Sequence, residues 1–384
     1  MSELTYRTAG ESHGRAVVAL VEGMPAGVPV DLDRINAEMR RRQGGYGRGA
    51  RQKIERDAVT VLSGIRRDRT MGSPIALQVP NQDFRLDEAP EVHRPRPGHA
   101  DFAGSMKWLT TDCRETLERA SARETAARVA AGALTKNLLA TFGVQCVGFV
   151  AEIGGTRASV PADAAPESLL STRDANEMYT PDAHAVDAMK EEVHRAKVNK
   201  DTVGGVVEVR VYGVPPGLGS CASWQEKLDG RLMQAVGAIQ AFKGVEIGLG
   251  FASARQPGSQ VHDAIRYDPQ QRQADNFGFV RDTNHAGGLE GGMTNGQPLV
   301  IRGAMKPIAT LLQGMDSVDL KTLEPQRSDY ERSDVCAVPA ASVVAENVVA
   351  FEVARAWLNK FAGDTLREVQ AAYAFYAQTI RGLA

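Results

Sequence analysis

Cysteine is scarce in this chain, with four thiols in 384 residues. Cys113, Cys146, Cys221 and Cys336 form no CxxC pair, and no Cys/His cluster has the spacing of zinc ligands, so no metal site is expected. Scattered thiols in a long chain argue against a disulfide framework and suit a reducing cytosol. Aromatic residues make up only 6%, too few to suggest a platform for stacking bases. Neither sign of charge dominates, with a net charge of −2, so no global field draws nucleic acid or a membrane surface. No apolar run is long enough to span a bilayer. The opening residues, Met1-Ser2-Glu3-Leu4-Thr5-Tyr6-Arg7, lack the basic and then apolar stretch of a secretory leader. The expectation is a cytoplasmic protein without nucleic-acid, membrane or metal partners.

The hydrophobic fraction of 43% supplies a substantial core. Glycine is abundant, at 38 residues, and clusters between apolar runs. Strands are expected at 16–22, 59–63, 75–79, 145–153, 206–212, 245–251 and 299–301. Helices are expected at 33–42, capped by Asp31 or Asp33, and at 181–197, 223–239, 342–361 and 364–374. A long alanine-rich helix is expected over 115–141, slim enough to lie between layers. The stretch 159–182, rich in proline, alanine and aspartate, reads as a surface excursion. Strands and helices do not alternate strictly, which favours α+β over a doubly wound sheet.

Two histidines have unusual settings. His13 lies in Gly10-Glu11-Ser12-His13-Gly14, and His99 in Arg96-Pro97-Gly98-His99-Ala100-Asp101. Flanking glycine or proline puts each on a tight turn, from which an imidazole can reach a ligand and titrate near neutral pH. Basic residues crowd the region 40–56: Arg40, Arg41, Arg42, Arg48, Arg51, Lys53 and Arg56, opposed there only by Glu55. Arg40 to Arg42 are explained as the cationic end of a helix. Arg48 and Arg51 sit in a glycine-rich loop, where guanidinium forks suit a carboxylate or phosphate. Arg119 and Arg123, four apart in the alanine-rich helix, are expected to share a face, with Glu115 and Glu118 as ordinary salt-bridge partners or an anionic ligand in their place. Lys306-Pro307-Ile308-Ala309-Thr310 offers a second anion-binding turn. In Arg332-Ser333-Asp334, the aspartate is a solvated partner if exposed and a general base if in a cleft.

Gly217-Leu218-Gly219-Ser220-Cys221-Ala222 matches a GxGxxA dinucleotide fingerprint, although Pro215-Pro216 breaks the junction from strand to loop. It leaves a nicotinamide-dependent dehydrogenase as an alternative reading. A non-enzymatic anion-binding protein built on the arginines is another.

Ten ordered blocks bring these pieces together. They are GESHG at 10–14, RRRQGGYGR at 40–48, RPGHAD at 96–101, RASARETAARVAAGA at 119–133 and DTVGG at 201–205. GLGS at 217–220, QAFKGVEIGLGF at 240–251, AGGLEGGMTNGQP at 286–298, AMKPIAT at 304–310 and RSDVCAVPAA at 332–341 complete the set. With them the chain resembles the chorismate synthase family over nearly its whole length. Met71, where the family often has threonine, and Ser342, where glycine is expected, depart from it.

The resemblance implies an enzyme, a carbon-oxygen lyase, that eliminates phosphate from 5-enolpyruvylshikimate 3-phosphate to give chorismate. The reaction is an anti-1,4-elimination with no net redox change that nevertheless needs reduced FMN. The reductant is either NADPH, used intrinsically, or an external flavin reductase. His13 would protonate the departing phosphate and His99 the reduced flavin. Asp334 would assist flavin N5 in removing the C6 proton. Substrate contacts would come from Arg42, Arg48, Arg51, Arg96, Ser121, Arg123 and Arg332. Flavin contacts would come from Arg119, Ala120, Ser121, Ala122, Gln240, Ala241, Gly291, Arg332 and the turn Lys306, Pro307, Ile308, Ala309 and Thr310. The implied fold is one domain over 1–384, a β-α-β sandwich with long helices between two mainly antiparallel sheets, assembled as a homotetramer.

Overall fold

The computed structural model describes residues 3–49, 56–331 and 333–383. Ten helices occur among them: α1 (Leu32–Gln43), α2 (Asp101–Trp108), α3 (Arg114–Arg119), α4 (Thr125–Ala140), α5 (Pro166–Asp174), α6 (Val186–Val198), α7 (Leu228–Gly237), the single turn α8 (Gly258–Val261), α9 (Val338–Lys360) and α10 (Leu366–Leu383).

Two sheets frame the molecule. The first has four strands in the order Thr5–Ala9, Ala16–Glu22, Ile75–Pro80, Thr60–Val61. The second has five, in the order Phe242–Ile247, Leu299–Met305, Gly205–Tyr212, Gln145–Ile153, Thr156–Arg157. Every neighbouring pair in both is antiparallel. Alternation sets the register of the first sheet. Val17, Ala19 and Val21 point inward and pair with Val79, Leu77 and Ile75, all fully buried. In the second sheet, Gln145–Ile153 is buried almost continuously, as expected of a strand covered on both faces. Helix α9 packs on this strand. On other side chains of the strand, Val147 and Phe149 cluster with Leu169 of α5. The stretch expected as an excursion, 159–182, thus contributes Val160, Ala164, Leu169 and Leu170 to a small core against this strand.

Helices α4 and α9 pack against each other. Helix α4 contacts the first sheet and α9 the second. Small residues make the close approach possible: a Cβ added at Gly132 of α4 would lie 2.1 Å from the carbonyl oxygen of Asn347 in α9. An ionic network pins the same layer. Glu346 of α9, 1% exposed, accepts from the Gly148 backbone N–H at 2.9 Å and meets Arg41 at 3.1 Å, Arg173 at 3.1 Å and Lys136. Burial opposes its ionisation, but Arg41, Lys136 and Arg173 outweigh burial and hold its carboxyl well below the usual range.

Most expected strands are present. The expected strand 245–251 instead begins at Phe242 and ends at Ile247, and the chain continues into a 3-10 turn at Gly250–Arg255. The expected helix 115–141 is interrupted. Ser121 is extended, with φ −63° and ψ 145°, and its hydroxyl caps a short 3-10 turn by accepting from the Arg123 N–H. Arg119 and Arg123 therefore lie on either side of a break and share no helical face. Arg119 is exposed and Arg123 is buried. The strand Thr5–Ala9 and the helices α2 and α5 were not apparent from periodicity.

The Gly217–Ala222 loop is not an open phosphate cradle. Leu218 donates to the Thr294 hydroxyl at 2.8 Å, and a Cβ at Gly219 would lie 2.4 Å from the carbonyl oxygen of Gly292. Its glycines admit the neighbouring hairpin Leu289–Thr294, and the expected helix 223–239 is present as a 3-10 turn at Trp224–Glu226 followed by α7.

Candidate active site

His13 sits on the turn between the first two strands of the four-stranded sheet. Its ring Nδ1 is 2.9 Å and 3.0 Å from the two carboxylate oxygens of Glu118, and its backbone N–H donates to the same carboxylate at 2.8 Å. Glu118 is 1% exposed and also meets Arg114 at 3.3 Å. Burial would raise its pKa, but hydrogen bonds from His13 and Arg114 prevail and lower it. Glu118 thus pairs with neither Arg119 nor Arg123. The turn is held by Asn81, whose amide donates to the carbonyls of Glu11, Ser12 and Gly14 at 3.1, 3.3 and 2.7 Å. The Ser12 and Ser121 hydroxyls meet at 3.2 Å.

Asn81 also links this turn to the arginines, because its side-chain oxygen accepts from Arg123 Nε at 2.6 Å. Arg123 and Arg42 converge on one fully buried carboxylate, Asp57. Arg42 reaches it at 2.9 Å and adds bonds to Thr125 and the Ala122 carbonyl, each at 3.0 Å. Burial pushes the Arg42 guanidinium down to about 10, against the pull of Asp57 and with the push of Arg123. Arg48 pairs with Asp334, which also accepts from the Gly49 N–H at 2.6 Å. Among the described residues, Arg42, Arg48 and Arg123 gather around Asp57 and Asp334, a guanidinium-rich cluster suited to an anion. Arg51 and Arg332 lie outside the described residues.

His99 forms a second histidine–carboxylate pair. Its Nδ1 lies 2.5 Å from Asp101, a fully buried residue at the start of α2. Arg96 grips the same carboxylate at 2.8 and 3.1 Å, reaches His99 Nδ1 at 3.0 Å and donates to the Thr310 hydroxyl at 2.8 Å. Burial opposes ionisation of Asp101, but His99 and Arg96 overcome it and hold the carboxyl far below its usual value. A cleft of about 370 Å³ opens beside this loop, lined by residues 95–99, Phe102, Ala103 and residues 316–318.

The residues expected around a flavin fall into two linked groups. Arg119 donates to the carbonyls of Thr8 and Gly10 at 3.1 and 3.0 Å. The Thr8 hydroxyl donates to Glu124, which also accepts from Gln240 at 3.1 Å. The other group is the Lys306–Thr310 turn. Lys306 N–H donates to the Ala241 carbonyl at 2.9 Å, and Thr310 joins the turn to Arg96. A Cβ at Gly98 would lie 3.4 Å from Lys306 Nζ, so this turn abuts the His99 loop. Burial, with Lys243 nearby, lowers the Lys306 pKa. Ala120 and Ser121 are half-buried, and Ala122 and Gly291 are exposed. Gly291 has φ +61° with open space where a Cβ would be.

The two histidine loops converge on one segment. Arg94, at the start of the His99 loop, pairs with Asp329, and Arg114 joins Glu331 at 3.1 Å to Glu118. Asp334 in the same segment carries Arg48. Sequence patterns gave Glu118 a different partner and left Asp57, Asn81 and Asp101 unassigned. An aspartate two residues after His99 was the one available signal. Among the described residues no three His, Cys, Asp or Glu could hold a metal ion, and no helix is long and apolar enough to cross a membrane.

Residues 4–358 match the family model described as chorismate synthase. A chorismate synthase of Desulforamulus reducens is 52% identical, with 98% of this chain and 99% of that protein covered. One from Pelobacter propionicus is 51% identical over 99% of this chain and the whole of that protein. A crystal structure of chorismate synthase superposes with a TM-score of 0.81 at 39% identity, covering 100% of this chain and 99% of the other. With its sequence matched nearly end to end and its fold matched throughout, the chain belongs to the chorismate synthase family.

Proposed function

We propose that the protein eliminates phosphate from 5-enolpyruvylshikimate 3-phosphate to give chorismate, acting as an FMN-dependent lyase. One observation carries the reading: each loop histidine is backed by a buried carboxylate that an arginine also holds. A substrate with two carboxylates and a phosphate needs both cations and a proton donor. Arg42, Arg48, Arg96 and Arg123, with Arg51 and Arg332, bind and orient the three anionic groups and exclude water. His13 holds a proton for the leaving phosphate. When the C–O bond breaks, its electron pair leaves on the phosphate oxygen, and His13 protonates that oxygen. Asp334 would assist removal of the C6 proton, and the electron pair of that C–H bond would enter the ring to complete the diene as the C–O bond breaks. Arg48 pairs with Asp334, and recruitment of Arg48 by the substrate would free that carboxylate for this assisting role.

The expected flavin-binding residues suit reduced FMN. The Gln240 side-chain oxygen is buried without a partner among the described residues, which is costly unless a ligand donor meets it. Lys306, Lys243 and Arg119 supply cations for a phosphate, and the His99 loop and the Lys306–Thr310 turn supply a wall. Gln240, Ala241, Gly291, Arg119 to Ala122 and Lys306 to Thr310 would hold the group. When bound, reduced FMN supplies N5 as a partner for the C6 proton. His99 would hold a proton for the bound flavin. We place the chain in a single β-α-β sandwich domain, a homotetramer of the cytoplasm.

The test is an anaerobic incubation with chemically reduced FMN and the substrate, following phosphate and chorismate. Both products are expected. A second arm with oxidised FMN and NADPH separates intrinsic flavin reduction from dependence on an external reductase. No phosphate in the first arm would overturn the proposal.

A further inference from the structure

We propose that Glu118 is the positioning residue for His13: it holds the ring by Nδ1 and leaves Nε2 as the nitrogen that delivers the proton. The inference rests on the proposed function for the identity of the reaction, but not for its geometry.

Three bonds converge on the loop from this one residue. The Glu118 carboxylate spans His13 Nδ1 and the His13 backbone N–H, and its own carbonyl accepts from the Ser12 N–H at 3.1 Å. Backbone and ring are therefore fixed together, so the imidazole cannot turn about its side-chain bonds without losing a buried partner. An ionised carboxylate only accepts, so Nδ1 must be the protonated nitrogen facing it. In the neutral ring Nε2 then carries the lone pair, and in the cationic ring Nε2–H is the proton available for transfer. The same tautomer survives after the proton has gone, so no ring flip is needed between turnovers.

The charges around the pair are arranged to keep Glu118 an acceptor. Arg114, on the same helix α3, balances it at 3.3 Å and is itself shared with Glu331. From the segment after Ile75–Pro80, Asp83 lies 3.9 Å from Nε2 and is held by Arg85 at 3.2 Å. Arg123 is joined to the turn through Asn81. Glu118 thus acts through the imidazole, and nothing in its bonding requires contact with substrate.

Two measurements test this. In the full chain labelled with 15N-histidine, the His13 ring is assigned by its loss in His13→Ala. At mildly alkaline pH, wild type should show the Nδ1–H tautomer, and Glu118→Gln should shift the ring toward Nε2–H. An Nε2–H ring in the wild type would overturn the proposal without any activity assay, even if the variant failed to fold. For turnover, Glu118→Gln should lower kcat by roughly tenfold to a hundredfold with substrate KM within about twofold. In a His13→Ala background the same substitution should add little, because residues acting as a unit are non-additive. An equal further loss in that background would show that Glu118 acts independently of His13. Failure of wild type to release phosphate would instead overturn the proposed function and leave the tautomer result standing.

Discussion

His13 and His99 each spend Nδ1 on a buried carboxylate. Replacing either by alanine should therefore remove a proton-handling group while leaving the scaffold folded. Turnover should fall by about a hundredfold or more, and the melting temperature should drop without loss of the fold, because a buried carboxylate loses a partner, as kinetics and thermal unfolding would report. Near-wild-type turnover in either variant would remove that residue's role. Arg48 has a different part. Its loss should raise substrate KM by roughly tenfold, the scale of one charge-assisted hydrogen bond, and an unchanged KM and kcat would exclude it from the anion clamp. Both histidines were legible in the sequence because glycine and proline mark their turns. Their carboxylates were not. Asp57 lies one residue beyond the basic stretch 40–56, and it meets Arg123 only through the fold. Glu118 read as a helix salt-bridge partner because periodicity reports neighbours along a helix, not a loop arriving from a sheet more than a hundred residues away.

Helix α4 was predictable from its alanines, which pack where long side chains would not fit. Its start was not. A hydroxyl that caps a new turn competes with helix continuation, and Ser121 does so in the middle of a run of strong helix formers. That break sends Arg119 to the Thr8 and Gly10 carbonyls and Arg123 into the Asp57 cluster, so two residues expected on one face have different partners. The closeness of α4 and α9 has its own consequence. Gly132→Ala brings a methyl group against the Asn347 backbone, and overpacking at such a contact costs about 1–3 kcal/mol. A clear drop in the denaturation midpoint is expected, although alanine is the better helix former. A stabilised variant would mean the two helices are less tightly apposed than described.

Across the whole molecule, buried charge links the layers. Glu346 joins α1, α4 and α5 to α9, while Glu118 and Asp101 hold the His13 and His99 loops. All three carboxyls have lowered pKa values in the folded chain. An unfolded chain therefore takes up their protons at higher pH than the folded one. The stability they contribute is complete above about pH 4–5, the range around and above unfolded carboxylates, and is lost as pH falls toward the folded values. Thermal unfolding followed from pH 7 down to about pH 3 should show a steep fall in midpoint below that range. A flat profile would mean these carboxylates are not ionised in the native state.

One site is expected to couple phosphate departure to formation of chorismate without consuming reductant. The most direct measurement is the stoichiometry of a single anaerobic reaction containing protein, reduced FMN and an excess of 5-enolpyruvylshikimate 3-phosphate. One chorismate per phosphate, over many turnovers and with the flavin still reduced at the end, is the predicted result. Phosphate without chorismate, or one reductant oxidised per product, would contradict it.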